Sequence, residues 1–267
     1  MRLIDPDQAA APLVGLAERY EACTVAEHRH RRAQLMYALD GSMSVLTQAG
    51  SWVLPPNRAL FIPAGFTHAL KVQKPVELRT LYIGGDLAGQ MPSVAPAVLP
   101  VSALLRELIL AAVAADWNYG KTSASARLAR VLCDQLCKVG AEPVYLPEPA
   151  DPRAQRLARI YHSNPAERRP LSVLARQAGA GIRTLERLFR AETGLTLGSW
   201  VQQLRLLYAL QLLADGEQVG DAAFHVGFEN PSSFIALFKK QFGTTPAQYF
   251  VDRGGDRRKS SSETGLQ

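Results

Sequence analysis

Short hydrophobic runs separated by turn residues fill the first third of the chain. Asp-Gly, Ala-Gly and Pro-Pro-Asn turns punctuate them, and the clearest runs read QLMYAL, MSVLTQ, SWVLP and ALFIP. Runs of this length between such turns predict β-strands, and many short strands at close spacing are typical of a small barrel or sandwich. Prolines close the region at Pro92, Pro96 and Pro100. The pattern predicts an all-β domain over residues 1–95.

Two stretches in the middle of the chain have the periodicity of amphipathic helices. The first follows Ser102, a good N-cap, and its predicted apolar face comprises Leu104, Leu105, Leu108 and Ile109. The second lies within residues 123–139, and its predicted face comprises Leu128, Val131, Leu132 and Leu136. Such helices either pack on the barrel or pair with a second subunit. Pairing is the favoured interpretation, so residues 96–150 are predicted to link the domains and to form a homodimer.

The last region is predicted to be helical. Its first boundary is marked by Pro143, Pro147, Pro149 and Pro152. Helical patterns then run through residues 151–253, and the polar segment 254–267 has the composition of a disordered tail. The predicted fold class is therefore two-domain, with an N-terminal all-β barrel, linking helices and a C-terminal all-α domain.

The net charge differs between the two halves of the chain. The formal net charge is +6. Residues 1–150 carry 14 basic and 13 acidic side chains, whereas residues 151–267 carry 16 and 11. A basic C-terminal half favours a polyanionic partner, with nucleic acid the first candidate.

Composition also indicates where the protein acts. No apolar run reaches the roughly 18 residues of a membrane span, and the N-terminus lacks the basic start of a secretory signal. An odd number of cysteines fits the reducing cytoplasm. Cys133 and Cys137, four residues apart, are interpreted as part of an apolar helix stripe rather than as half of a metal site.

The last region contains an internal duplication. Ala175 and Gly179 in the first copy correspond to Ala223 and Gly227 in the second, an offset of 48 residues. Beyond the glycine the offset is 49, and the matched anchors are Leu185, Leu188, Phe189, Gly194 and Thr196 with Phe234, Leu237, Phe238, Gly243 and Thr245. A small residue that allows close helix crossing, followed by a turn glycine, is typical of a helix-turn-helix. Two such copies in the basic half of the chain favour DNA binding. The alternative is a protein-binding helical bundle whose basic faces are only solvated.

The free faces of the two second helices are the predicted DNA-reading surfaces. The first face comprises Arg183, Thr184, Glu186, Arg187 and Arg190. Arginine pairs with guanine and glutamate accepts from cytosine, so this face suits base reading. The second face, with Asn230 as N-cap, comprises Pro231, Ser232, Ser233, Ile235, Ala236, Lys239 and Lys240. Small and hydroxyl groups suit thymine methyls and phosphates, so this face is predicted to contribute more positioning than discrimination.

These motifs resemble a known family. LSVLARQAGAGIRTLERLFRAETGLT, LRLLYALQLLADG and VGDAAFHVGFENPSSFIALFKKQFGTTPAQYF are similar to the DNA-binding domain of the AraC/XylS family of bacterial transcription regulators. The resemblance covers residues 153–252 without a gap. It implies two helix-turn-helix units joined by one long helix, here from Ser199 to Ala214, that read double-stranded promoter DNA about one turn apart. Gly181 departs from the family, which commonly has a serine cap there.

Three histidines form a second candidate site. His28 and His30 are followed by Gln34 and Gly41, and a second motif runs from Asn57 through Pro63-Ala64-Gly65 to His68. On one strand, His28 and His30 would both point inward because alternate side chains share a face. The two spacings resemble the motifs of cupins, small β-barrels that hold a metal with three histidines and a glutamate. The resemblance makes His28, His30 and His68 candidate ligands of a divalent metal.

Gln34 stands where an enzymatic cupin usually has glutamate. A neutral amide is a poorer ligand for a hard cation and cannot act as a carboxylate base. A metal-free effector pocket lined by His28, His30, Gln34 and His68 is therefore favoured, with metal-assisted sensing and a purely structural role as alternatives. Tyr37 and Trp52 are interpreted as core residues.

The sequence predicts a cytoplasmic, non-enzymatic transcription regulator. Its barrel would sense a small molecule or metal, its middle helices would dimerise, and RNA polymerase is a candidate partner. A metal-dependent cupin enzyme fused to a DNA-binding domain is the main competing hypothesis, and a constitutive architectural DNA binder is the third.

Overall fold

A computed structural model describes residues 5–47, 50–91, 95–142 and 144–251 of the chain. The boundary residues Pro92 and Pro143 and the predicted tail 254–267 lie outside these residues. A short 3-10 helix spans Pro6–Gln8, with the Asp5 side chain accepting from the backbone N–H of Asp7.

Two five-stranded antiparallel sheets form the N-terminal domain. The strands are β1 (Leu13–Tyr20), β2 (Cys23–His28), β3 (Ala33–Asp40), β4 (Met43–Leu46), β5 (Gly50–Leu54), β6 (Arg58–Ile62), β7 (His68–Val72), β8 (Val76–Ile83), β9 (Ala97–Pro100) and β10 (Tyr145–Pro147). The first sheet has the order β1-β8-β3-β6-β9, and the second has the order β10-β5-β4-β7-β2.

Of the α-helices that the structure describes, three lie between strands of the N-terminal domain, and seven follow the last strand. They are α1 (Gly85–Ala88), α2 (Ala103–Ala114), α3 (Ala124–Leu136), α4 (Pro152–Ser163), α5 (Leu171–Ala178), α6 (Ile182–Thr193), α7 (Leu197–Ala214), α8 (Val219–His225), α9 (Pro231–Phe242) and α10 (Pro246–Val251). None of them, within the described ranges, has the length and hydrophobicity needed to cross a membrane. The predicted two-domain fold, an all-β domain followed by an all-α domain, is confirmed.

The two sheets pack face to face around a common core. Met36, Leu60 and Leu78 of the first sheet belong to the same hydrophobic cluster as Val45 and Leu70 of the second. Side chains alternate between the two faces of a strand, so the residues that lie between these core residues along each strand point away from the core. The histidine His68 shares the inner face of β7 with Leu70, two positions along the strand.

Both middle helices pack on the outer face of the first sheet. Leu105 and Ile109 of α2 and Leu132 of α3 join one buried cluster with Leu35 and Leu81. Packing on the barrel, the alternative to subunit pairing, is therefore what occupies the apolar faces of these helices. Ser102 caps α2 as predicted and accepts from the backbone N–H of Leu105 at 3.2 Å.

The predicted apolar stripes of these helices were too wide. Leu104 is 56% exposed and Val131 is 44% exposed, because each lies about 100° around the helix from a buried neighbour. Cys133 is buried in the α3 stripe, and burial raises the pKa of its thiol to about 12. Cys137 instead is exposed at the end of α3 and donates to the carbonyl of Gln90.

The sheets extend past residue 95, where the sequence pattern placed the end of the barrel. Strand β9 pairs with β6, and β10 pairs with β5 after both middle helices have passed. Short strands that contain proline carry a weak sequence signal. The barrel therefore includes residues that the pattern assigned to the linker.

Helix α7 lies against the second sheet and joins the two domains. Gln211 donates to the hydroxyl of Ser44 at 2.6 Å, and Trp200 donates to the carbonyl of Pro147 at 2.7 Å. The α7 residues Leu204 and Leu207 belong to the same hydrophobic cluster as the barrel interior. The helix that connects the two predicted DNA-reading units is thus fixed to the barrel.

Candidate DNA-reading surface and histidine cluster

Both halves of the duplication fold as helix-turn-helix units. In the first, α5 ends at Gly179, which has φ +76°, and α6 follows. In the second, α8 is followed by Gly227, which has φ +91°, and then by α9. Positive φ is the conformation that glycine adopts at least cost. The paired alanines Ala175 and Ala223 are buried where the helices cross.

Each reading helix is anchored on one side and exposed on the other. Leu185, Leu188 and Phe189 of α6 are buried, as are Phe234 and Phe238 of α9. The predicted first face is brought together on α6: Thr184 is half-buried, and the exposed members are Arg183, Glu186, Arg187 and Arg190. The predicted second face is brought together on α9: Pro231 and Ile235 are half-buried, and the exposed members are Asn230, Ser232, Ser233, Ala236, Lys239 and Lys240.

The two reading helices begin differently. Asn230 accepts from the backbone N–H of Ser232 at 2.7 Å, as expected of an N-cap. Gly181 stands at the same position of α6 and has no side chain with which to cap the helix. The connecting helix α7 begins two residues before the predicted Ser199, because Thr196 acts as its N-cap and accepts from the backbone N–H of Ser199 at 3.1 Å.

The duplication includes a pair of arginines that the sequence analysis missed. Arg156 on α4 donates to the carbonyl of Ala178 at 2.8 Å, beside the first turn glycine. Arg205 on α7 donates to the carbonyl of Pro165 at 2.8 Å, beside the second turn glycine. The two arginines are 49 residues apart, whereas the offset up to the glycines is 48, so a gap-free N-terminal extension of the alignment would have matched Arg156 with Leu204 and missed the pair.

The three histidines converge inside the barrel. Ligand atoms of His28, His30 and His68 all lie within 4.8 Å of one another. His28 and His68 face each other across the β2–β7 pair, with ring centroids 4.3 Å apart. The prediction that His28 and His30 share a strand was wrong: β2 ends at His28, and a pairing irregularity precedes it. The chain turn after β2 still brings the His30 ring to 5.1 Å from that of His28.

Backbone carbonyls fix the proton positions on two of these rings. The Nδ1 atoms of His28 and His68 lie 2.9 Å from the carbonyl oxygens of Ala26 and Phe66. A carbonyl only accepts, so each Nδ1 carries the proton and donates, and Nε2 of the neutral ring keeps its lone pair. Burial lowers the pKa of His68 to about 4 and also lowers that of His30, so both rings are neutral near pH 7.

Three polar atoms of this cluster are buried without a hydrogen-bond partner among the described residues. They are Nε2 of His30, Nε2 of His68 and Oε1 of Gln34. Buried polar atoms are normally satisfied, and exceptions point to a missing water, ion or ligand. The cluster therefore has the electrostatics of a cation site, with neutral nitrogen donors and an amide oxygen that lack partners.

The wall beside the cluster includes residues that sequence reasoning missed. Gln34 donates to the Tyr82 hydroxyl at 3.4 Å, and the Tyr82 ring lies edge-on to His30 at 5.0 Å. Glu18 accepts from the hydroxyls of Tyr20 and Thr80, each at 3.1 Å. No motif marked them, since the register of β1, β3 and β8 places them together. Tyr37 and Trp52 are buried in the hydrophobic cores, as interpreted from the sequence.

Comparison with known proteins adds the family to this geometry. Residues 174–251 match the model of a helix-turn-helix domain, and residues 11–137 match that of the AraC-like ligand binding domain. The HTH-type transcriptional regulator NimR of Escherichia coli (strain K12) is 34% identical over 224 residues, which cover 84% of this chain and 81% of NimR. The chain belongs to the AraC/XylS family.

Two further likenesses are weaker, one because it covers less of the chain and the other because its sequence identity is low. The regulator RipA of Corynebacterium diphtheriae is 34% identical over 134 residues, covering 50% of this chain and 38% of RipA. A crystal structure of ToxT from Vibrio cholerae with a bound unsaturated fatty acid is 11% identical, covers 94% of this chain and 99% of ToxT, and has a TM-score of 0.39.

This AraC/XylS regulator thus has both parts that the sequence predicted. A DNA-binding helix-turn-helix domain follows a ligand-binding domain, and NimR, to which most of the chain is similar, is a transcription regulator. The predicted family and the predicted function as a DNA-binding transcription regulator are confirmed.

Proposed function

We propose that this regulator responds to a divalent transition-metal ion held by His28, His30 and His68. The observation that carries the proposal is the set of three imidazoles whose ligand atoms converge within 4.8 Å, two of them with buried Nε2 atoms that have no partner among the described residues. Carbonyl bonds to the Nδ1 atoms of metal-binding histidines orient the rings and raise their basicity. This favours metal over the metal-free pocket that the presence of Gln34 suggested.

The donor set determines which cations the site would accept. Three imidazoles suit zinc, iron, nickel or manganese rather than calcium or magnesium. The buried amide oxygen of Gln34 has no partner among the described residues and is a candidate neutral fourth ligand. A neutral amide in place of a carboxylate removes the base that a metal-dependent hydrolase or oxygenase would use. We therefore propose a sensor and not an enzyme.

On the DNA side, we propose that α6 and α9 enter successive major-groove segments of promoter DNA. The arginines Arg183, Arg187 and Arg190 and the acceptor Glu186 would read bases, while Lys239 and Lys240 would contact phosphates. The regulator would work in the cytoplasm as a homodimer. Leu104 and Val131 are exposed apolar residues of α2 and α3 that a second subunit would cover. RNA polymerase is a candidate further partner.

Contacts between β7, β4 and α7 supply a route from the metal to the DNA-binding domain. His68 begins β7, and Lys71 of the same strand pairs with Ser44 of β4, which accepts from Gln211 of α7. Past the end of β7, Lys74 lies 3.4 Å from Asp215 at the end of α7. A metal that draws β2 and β7 together would bias how α7 is held. It can do so only if it binds the two arrangements with different affinities.

Elemental analysis of protein purified without a histidine tag tests the proposal. We expect about one zinc, iron, nickel or manganese ion per chain in the wild-type protein, and its loss in His68→Ala. His225→Ala is the matched control, because this histidine is exposed in the DNA-binding domain and should leave the metal content unchanged. A gel shift with DNA upstream of the gene, with and without a chelator, then shows whether metal changes DNA affinity.

The metal proposal fails if the wild-type protein holds no metal even after incubation with each of the four ions. A metal-free organic effector would then be the better explanation of the cluster. DNA binding that is unchanged by chelation, despite one bound metal, would instead leave the metal with a structural role only.

A further inference from the structure

The two reading helices need a fixed separation if both are to read bases. Helices that enter successive major-groove segments lie about 34 Å apart on one face of the duplex. In this chain α8 and α9 follow α7 through residues 215–218, where Gly216 has φ +89°. A short loop with a glycine does not by itself determine how the second unit is oriented. A contact outside this loop is needed to hold the second unit in a fixed orientation relative to the first.

Arg205 makes such a contact between the two units. It lies in the middle of α7 and is half-buried. Its guanidinium donates to the carbonyl of Pro165 at 2.8 Å and to that of Glu167 at 3.1 Å. Both carbonyls belong to the loop between α4 and α5 in the first unit. The planar guanidinium thus holds two backbone acceptors at once, a geometry that lysine cannot reproduce.

The turn of the second unit closes on the same loop. A methyl group at Gly227 would lie 2.8 Å from the Ala166 Cα and 3.2 Å from the guanidinium carbon of Arg205. The turn between α8 and α9 is therefore in direct contact with the loop that Arg205 holds. Glu229, which follows this turn, also lies 3.5 Å from Arg168 in the same loop, although both side chains are exposed.

The arginine beside the turn glycine of the first unit makes no such bridge in the contacts described. Arg156 donates to Ala178 at 2.8 Å, at the end of α5 within its own unit. A methyl group at Gly179 would meet only the tip of the Arg156 side chain, at 3.1 Å, and its central carbon at 3.9 Å. The two arginines that lie beside the turn glycines therefore have different roles: Arg156 braces its own turn, and Arg205 joins the units.

We propose that Arg205 is a positioning residue that sets the separation and relative orientation of α6 and α9. The proposal rests on DNA reading by these two helices. It predicts that the protein discriminates between operators by the distance between their two segments, and that this discrimination depends on Arg205. Removing the guanidinium would let the second unit pivot at residues 215–218 and follow a displaced segment.

The test compares DNA duplexes that differ only in spacing. The wild-type protein first selects a sequence from a random pool of about 25 base pairs, long enough for two segments one turn apart. Duplexes with one base pair inserted or deleted between the segments are then compared by gel shift. We expect the wild-type protein to lose at least about tenfold in affinity on either change, since one helix loses its base contacts.

Arg205→Met and Arg156→Met are the matched pair of variants. Arg205→Met should bind the selected duplex about tenfold more weakly than the wild-type protein, since one misplaced helix loses only part of the specific contacts. Its affinities for duplexes of the three spacings should differ from one another by no more than about threefold. Arg156→Met should keep the wild-type spacing ratio. Circular dichroism checks that both variants fold. If Arg205→Met does not fold, Arg205→Lys keeps the charge on a single donor nitrogen and should show an intermediate spacing ratio, with Arg156→Lys as its control.

Each outcome decides between the proposals. A full wild-type spacing ratio in Arg205→Met or Arg205→Lys overturns the positioning role, as does an equal loss of ratio in the Arg156 variants. Failure of the wild-type protein to select any duplex would count against DNA reading itself, and so is distinguishable from failure of the positioning role.

Discussion

The two helix-turn-helix units are copies of one design that have come to differ at defined places. In each unit the two helices cross at a buried alanine, Ala175 or Ala223, and the chain turns at a glycine with positive φ. The second helix of each unit also buries aromatic side chains. They differ in the cap of the reading helix, in the charge on its free face and in what the arginine beside the turn holds. The differences show which features a unit needs to fold and which are available for specialisation.

The first unit is the more self-contained, and the second is the more constrained. In the first, Arg156 bonds within the unit and the α6 face carries three arginines. In the second, Arg205 bonds to the other unit, and Tyr249 of α10, which packs on α9, donates to Glu142 at 2.7 Å and lies against Arg58 of the barrel. Under the proposed function, the first unit would therefore discriminate between DNA sequences, and the second would transmit the state of the barrel.

The turn glycines offer the largest test of this contrast. Gly227→Ala should lower the free energy of unfolding by about 3 kcal/mol or more, because a strained φ adds to a backbone clash. Gly179→Ala should cost only about 1–2 kcal/mol, since its methyl meets a movable side chain. Urea titrations followed by helical circular dichroism would measure both. Equal losses would show that Gly227 is not specially confined.

The free faces offer an intermediate test. Arg187→Ala should weaken binding to the selected duplex by about 1–3 kcal/mol and relax base preference at one position, if the arginine reads a base. Lys239→Ala should weaken binding to selected and random DNA alike and reduce the salt dependence by about one phosphate contact. Gel shifts on both DNAs at several salt concentrations would separate the two. If Arg187→Ala weakened binding to the selected and the random DNA equally, Arg187 would contact a phosphate and not a base.

The duplication explains why the C-terminal domain was predictable from sequence. Its helices are set by local signals, such as the Asn230 cap, the turn glycines and the periodic anchors, and each signal occurs twice. The Arg205 bridge was not predictable, because its partners are backbone carbonyls, which have no sequence signature. The Pro165 and Glu167 carbonyls are acceptors only because the loop between α4 and α5 folds back to α7.

The barrel was predictable in class but not in detail. Alternating short runs identified β3 to β6, whereas β9 and β10 lie on either side of helices and contain proline. The histidines converge because β2 pairs with β7 and a turn follows His28, not because all of them alternate on strands. Glu18 and Tyr82 face the cluster through strand register, which a single sequence does not reveal.

The helix caps give the smallest and cleanest comparison between the units. Asn230→Ala should lower the free energy of unfolding by about 1 kcal/mol, since the Ser232 N–H loses its acceptor. Gly181→Ser should raise it by a few tenths of a kcal/mol, because Gly181 has extended backbone, φ −76°, and open space for a side chain. Thermal melting of both variants, compared with the wild-type protein, measures these changes in stability.

If Gly181→Ser stabilises α6 and also strengthens binding to the selected duplex, the missing cap limits how well the first reading helix binds DNA. If it stabilises α6 while binding is unchanged, α6 is already ordered by its buried anchors, and the cap difference between the units has no consequence for reading DNA.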